Sequence, residues 1–135
     1  MPTIELQKPR SNKDRQYKPK DQNLWAQEIY TSTLWRRLRQ SYLMSHPLCE
    51  ICQEQDIITP ATDVHHQNEI SNAGSRLEAY DIGYDSNNLM ALCHKCHQRY
   101  HAINHSVHGV SKEDSIFLEK YNELCKRKNT LNKHQ

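Results

Sequence analysis

Two cysteine pairs, Cys49-x-x-Cys52 and Cys93-x-x-Cys96, stand forty residues apart, and they limit what this chain can fold into more than any other feature. Each pair presents two thiolates on one tight turn, and two such turns complete a tetrahedron around a zinc ion. A redox pair would open a helix inside a βαβ pattern, which this sequence lacks. The expectation is therefore one structural zinc held by Cys49, Cys52, Cys93 and Cys96. The interval between the pairs is longer than a simple zinc ribbon needs and leaves room for a hairpin. Such a staple answers a real need, because only 36% of the 135 residues are apolar. A core that small is marginal alone, and metal-binding energy becomes folding energy. The fifth cysteine, Cys125, falls on the apolar face of a helical pattern and reads as a packed thiol. This cysteine usage suits a reducing, intracellular compartment. No apolar run nears membrane-spanning length, and no signal-peptide pattern opens the chain.

Histidines carry the functional content. His65 and His66 lie between the cysteine pairs, and His97 and His101 follow directly on Cys96. His97 and His101 are spaced i, i+4, so on a helix they share a face and can bind one ion. Adjacent residues on a strand point to opposite sides, so His65 and His66 cannot easily do the same job. One can join the metal while the other faces a substrate water. His46, His108 and His134 read as ordinary surface or core groups. His94 and His105 extend the helical series, but three protein ligands already leave the open positions that catalysis needs.

The organisation follows from periodicity and punctuation. Residues 1–22 are polar, carry Pro2, Pro9 and Pro19, and read as a flexible arm. Residues 23–45 read as one helix with a stripe of Tyr30, Leu34, Leu38 and Tyr42, widened by Trp35 and ended by Pro47. Ile57 to His66 suggests an extended stretch interrupted by Pro60. Residues 67–87 read as a loop, Asn88 to Leu92 as a second strand, and His94 to Asn104 as a helix. A final amphipathic helix is expected over 111–128, with Ser111 and Asp114 as a capping pair and Phe117, Leu118, Tyr121, Leu124 and Cys125 on its apolar face. Asp85 reads as a turn or capping residue and Asp63 as a surface strand residue. The chain thus divides into an arm (1–22), a metal-bearing core with its leading helix (23–110) and a C-terminal helix and tail (111–135).

The net charge of +2 hides an asymmetry. Residues 1–46 carry nine Lys and Arg against four acids, and the rest carries nine against twelve. The excess sits in Lys8, Arg10, Lys13, Arg15, Lys18 and Lys20, then in Arg36, Arg37 and Arg39. Such arms are electrostatic footprints for polyanions, though an isolated basic run is also a common form of solvated tail. A metal centre downstream tips the balance toward nucleic acid, with all nine cations as candidate DNA contacts.

From about Tyr30 to His101 the chain resembles the HNH endonucleases, and more narrowly the small HNH proteins of phages and prophages. The resemblance rests on LWRRLRQSYLMSHPLCEIC, ATDVHH, DSNNLMALCHKCH and the four-cysteine frame, in that order and spacing. It implies a small α+β fold: a ββα-metal core on a zinc frame, with flanking N- and C-terminal helices. It also implies metal-dependent hydrolysis of DNA phosphodiesters. By position, His66 matches the general base and Asn88 the asparagine that orients it, although Asn87 adjoins it and could take the place. His65 fills a position often held by a metal-binding Asp, while His97 and His101 match helix ligands. Gln67 departs from the aliphatic residue usual after the base. The implied cofactors are structural Zn²⁺ and one catalytic Mn²⁺, Ni²⁺ or Mg²⁺. The implied setting is the cytoplasm of a bacterial host, with a phage DNA-packaging terminase as a conceivable partner. The competing reading is a zinc-stabilised nucleic-acid-binding module without catalysis, or an accessory factor of that terminase. It accounts for the cysteines and the basic arm, but not for His65, His66, Asn88, His97 and His101 in this order.

Overall fold

A computed structural model describes residues 20–132. The candidate contacts Lys8, Arg10, Lys13, Arg15 and Lys18 lie outside these residues. Lys20 opens the first helix. The elements run α1 (Lys20–Tyr30), α2 (Thr33–Ser45), α3 (Glu50–Gln53), β1 (Asp63–His66), α4 (Arg76–Gly83), β2 (Leu89–Leu92), α5 (His94–Asn104) and α6 (Lys112–Asn132). Short 3-10 turns at Ile70–Asn72 and Ser86–Asn88 flank α4.

The two strands pair antiparallel, with Asp63 opposite Leu92, Val64 opposite Ala91, His65 opposite Met90 and His66 opposite Leu89. Every residue of β2 is fully buried, because helices cover both faces of this small sheet. The pleat sorts the side chains with period two. Leu89 and Ala91 join Val64, Ile29, Trp35, Tyr42 and Ile70 on the face covered by α1, α2 and α4. Met90 and Leu92 join Ile51, Tyr100, Ile103, Phe117, Tyr121 and Leu124 on the face covered by α3, α5 and α6. The α6 face foreseen in the sequence is the one that packs, and Cys125 packs with it. Ser111 caps this helix by accepting from the Asp114 N–H at 3.2 Å.

Three sequence expectations need correction. Residues 23–45 do not form one helix. Ser32 breaks it, bonding back to the Ile29 carbonyl at 2.6 Å and accepting from the Trp35 N–H at 3.1 Å as the N-cap of α2. The break rotates the second helix, so Ile29, Trp35 and Tyr42 are buried while Tyr30 and Leu34 stay about half exposed. Nor are residues 67–87 a plain loop. Ser75 caps α4 by accepting from the Glu78 N–H, and the Glu78 carboxylate accepts from the Gly74 N–H at 2.8 Å. This Ser-x-x-Glu pair is a capping signal that polarity and two glycines obscured. At the end of α4, Gly83 meets α1 so closely that a Cβ would lie 3.0 Å from Ile29 Cδ1. The extended stretch also begins later than expected, at Asp63, and Pro60 sits in an isolated bridge with Leu48.

One polar network ties the helices to the sheet. Lys128 Nζ on α6 donates to Glu50 Oε1 and to the Tyr42 hydroxyl, both at 2.6 Å. Glu50 Oε2 accepts from the Ala91 N–H at 2.6 Å, so the same carboxylate that follows Cys49 also holds β2.

Candidate metal and catalytic site

The four paired cysteines meet. Their sulfurs lie within 4.8 Å of one another, with Cys52 3.7 Å from Cys96 and 4.0 Å from Cys93. Four thiolates at ~2.3 Å from a zinc ion would be spaced by about 3.8 Å, so the cluster fits a tetrahedral site. Each knuckle is built locally. Cys49 and Cys93 are the N-caps of α3 and α5, and the next cysteine of each pair lies within the helix. The turn after Cys52 requires a left-handed residue, and Asp56 adopts it at φ 58°. A bond from the Cys96 thiol holds Cys49 down at about 4 against the opposing effect of burial, while the same bond and burial hold Cys96 far up. A cation among them removes that conflict.

The second cluster comprises His65, His97 and His101, whose ligand atoms also lie within 4.8 Å of one another. His97 Nε2 and His101 Nε2 approach to 3.0 Å. Two ligands at ~2.1 Å on adjacent corners of an octahedron would stand about 3.0 Å apart, so the spacing suits one shared divalent ion. Asp63 Oδ2 sits 2.9 Å from His97 Nδ1. A carboxylate there accepts a hydrogen bond from the Nδ1–H, which fixes that tautomer and leaves the Nε2 lone pair for the cluster. Burial pushes Asp63 upward, but its bonds to His94 and His97 outweigh this and keep it ionised. His65 is buried among Tyr100, Tyr121 and the other two histidines, and the Tyr121 hydroxyl lies 2.8 Å from its Nε2. Burial first, then the neighbouring histidine charges, bring His65 down to about 3, so its ring is neutral. His94 bonds Asp63 from an exposed position, and His105 stacks on His101; neither is part of the cluster.

His66 points the other way, as strand alternation requires. Its ring stacks on Trp35 at 4.8 Å, and Nε2 lies 3.0 Å from the Gly83 carbonyl. The Tyr30 hydroxyl is 3.3 Å from Nδ1. Burial lowers its basicity, and the Gly83 bond partly restores it. Both histidines nonetheless reach one cavity of about 280 Å³, lined also by His97, His101, Tyr30, Glu69, Ile70 and Ser71.

Asn88, read as the asparagine that orients the base, makes no direct hydrogen bond to the His66 ring. Its amide donates to the Asn68 and Ile82 carbonyls at 2.9 and 3.0 Å, and its oxygen accepts from the Asn68 N–H at 2.8 Å. It thereby ties the segment after β1 to the end of α4, next to Gly83. Asn87 offers its carbonyl to Gln67, and Asp85 caps the turn by accepting from the Asn87 N–H at 2.9 Å, as read from sequence. Arg36, Arg37 and Arg39 are exposed on α2, and Arg39 donates to the Thr62 carbonyl at 2.8 Å. Sequence reasoning missed Asp63, Tyr30, Tyr121 and the Gly83 carbonyl. Only Asp63 carried a signal: two residues before His65, it shares that histidine's side of the strand.

A two-stranded hairpin and a helix around a histidine cluster, set on four converging cysteines, define a small α+β protein of the ββα-metal class. Residues 49–102 match the model of the HNH endonuclease family. The fold is also similar to the crystal structure of the HNH endonuclease of the deep-sea thermophilic bacteriophage GVE2, determined with a manganese ion. That match has a TM-score of 0.57 and 29% identity, and covers 71% of this chain and 99% of the phage protein. No curated protein matches the chain. A family model over residues 49–102 and the similarity to a phage HNH endonuclease thus both support reading the chain as an HNH-type nuclease. Among the described residues, no helix is long and apolar enough to cross a membrane.

Proposed function

We propose that this protein is a metal-dependent endonuclease that hydrolyses DNA phosphodiesters with His66 as general base. The observation that carries the reading is one cavity shared by a three-histidine cluster and a separately oriented fourth histidine. The Gly83 carbonyl can only accept, so His66 carries its proton on Nε2 and turns the Nδ1 lone pair to the cavity. Nδ1 would take the proton of the attacking water, and a neutral imidazole suits that role near neutral pH. Asn88 would act at one remove, by fixing the Ile82–Gly83 backbone that holds the ring. His65, His97 and His101 would hold the divalent ion, with Asp63 orienting His97. When bound, that ion supplies Lewis-acid stabilisation of the phosphate and leaving oxygens. Arg36, Arg37, Arg39 and the basic arm would engage phosphates. A phage or prophage origin, a cytoplasmic setting and a terminase partner rest on the family resemblance and belong to this proposal only.

Supercoiled-plasmid nicking with added Mn²⁺, Ni²⁺ or Mg²⁺ tests the reading. The nicked form should accumulate with at least one of them, whereas DNA binding without cleavage under all three would favour the non-catalytic module. Imidazole ligands suit transition ions better than Mg²⁺, which prefers hard oxygens. Activity with Mn²⁺ or Ni²⁺ should therefore equal or exceed that with Mg²⁺. Zinc should bind but turn over poorly, because four-coordination leaves few exchangeable positions. The change His65→Asp should shift the preference toward Mg²⁺, and an unchanged metal profile would remove His65 from the coordination shell.

Deleting residues 1–19 removes Lys8, Arg10, Lys13, Arg15 and Lys18. DNA affinity should fall, and the slope of log K against log salt should flatten by about 0.9 for each phosphate no longer neutralised. Binding titrations at several salt concentrations measure this. An identical slope would mark the arm as a solvated tail.

A further inference from the structure

We propose that Tyr30 is a positioning residue of the hydrolytic step, its hydroxyl seating the attacking water against His66 Nδ1. This rests on His66 being the base. The argument starts from what each ring nitrogen can do. A neutral imidazole has one N–H and one lone pair. The Gly83 carbonyl claims the N–H at Nε2. Among the described residues, the hydrogen-bond partner of the remaining lone pair is the Tyr30 hydroxyl, at 3.3 Å. That separation is long for an O–H···N bond, and seating a water between the two atoms by two bonds of about 2.8 Å requires them to part to roughly 4.5 Å.

The hydroxyl is held in place by the break between α1 and α2. Tyr30 is the last residue of α1, and Trp35 lies in the first turns of α2. On an unbroken helix, residues five apart would point in different directions. With Ser32 capping α2, Tyr30 and Trp35 instead converge on one imidazole. The Tyr30 ring stands edge-on to Trp35 at 5.5 Å and to His66 at 5.8 Å, while Trp35 stacks on His66. Tyr30 is nonetheless about half exposed and lines the same cavity as His65, His97 and His101. An exposed phenol so braced presents its oxygen to the cavity rather than to the core.

In the working arrangement, one water stands between the two side chains. It gives one hydrogen to Nδ1 and the other to Tyr30 Oη, and its lone pairs face the phosphorus. The proton then passes to Nδ1 as the new O–P bond forms. The bond from phosphorus to the leaving oxygen breaks, and its electron pair stays on that oxygen. Tyr30 neither gains nor loses a proton in this scheme; it fixes the direction of attack. It also lies outside residues 49–102, so the family match says nothing of it.

The test compares the wild-type chain, Tyr30→Phe and His66→Gln in single-turnover nicking of supercoiled plasmid with Mn²⁺. Tyr30→Phe keeps the ring and its packing, so the melting temperature should not move. Its rate at saturating enzyme should fall about tenfold, as expected for lost orientation, with half-saturation unchanged. A wild-type rate in Tyr30→Phe, with His66→Gln inactive, overturns the role of Tyr30 and leaves the base in place. A change confined to half-saturation also overturns it, and marks Tyr30 as a residue that binds DNA. An active His66→Gln removes both readings together. As a measurement independent of activity, ¹⁵N spectra of the Mg²⁺-loaded protein should place the His66 proton on Nε2. A proton on Nδ1 would leave no lone pair toward Tyr30 and would overturn the proposal.

Discussion

Replacing His66 with glutamine should reduce single-turnover DNA nicking by about 10² to 10⁴-fold, the range usual for a lost general base. Glutamine fills much of the space beside Trp35 but cannot accept a proton near neutral pH. The choice of variant matters because His66 is only 4% exposed. Alanine would open a cavity beneath Trp35 and confound chemistry with stability. Plasmid affinity and the melting temperature should stay near wild type, since the residue acts mainly in the transition state. Wild-type nicking by His66→Gln under the same metal would show that another group takes the proton.

The second large effect is on folding. Cys49→Ser or Cys96→Ser should leave the chain largely unfolded and deficient in zinc. Structural zinc sites contribute roughly 10–16 kcal/mol of apparent binding energy, against net stabilities of about 5–15 kcal/mol for ordinary domains. Loss of one thiolate can therefore exceed the whole margin of a chain with so small an apolar core. Circular dichroism with zinc content measures this, and Cys125→Ser is the control. Its thiol packs on α6 outside the cluster, so that variant should keep its fold and its zinc. A Cys49→Ser protein that melts cooperatively with wild-type zinc content would refute the frame.

Some features could be read from the residues alone because their chemistry is strongly spaced. The cysteine knuckles, the i, i+4 histidines, the Leu-Met-Ala-Leu strand and the capped α6 each carry a local rule, and each lies where that rule puts it. Helix α4 was hidden because its first turn is polar and glycines stand near both ends. The break at Ser32 was hidden because Tyr30, Leu34, Leu38 and Tyr42 mimic a continuous stripe. That error mattered for the site, because the break brings Tyr30 to His66. The partners of the histidines were harder still. Tyr121 lies fifty-six positions from His65, and Gly83 acts through a backbone oxygen that no side chain announces. Asp63 was legible by strand alternation, but an isolated carboxylate on a short strand resembles an ordinary surface residue.

The position of the cysteine frame also bears on how the hairpin is assembled. Between His66 and Leu89 the chain makes an excursion of twenty-two residues, so the strands must find each other across a long loop. Loop closure of that kind carries an entropic cost that precedes any reward from pairing. Cys93 follows Leu92 directly, and Thr62, next to β1, bonds the Leu92 carbonyl at 3.0 Å. An ion captured early by the two knuckles would bring the open ends of the strands together before the sheet forms. Pairing would then proceed from a fixed end, one residue at a time. A slip of one position would present Gln67 where His66 belongs and His66 where His65 belongs. The thiolates would thus act as a counting device during folding, and every correctly aimed histidine would inherit its direction from that count.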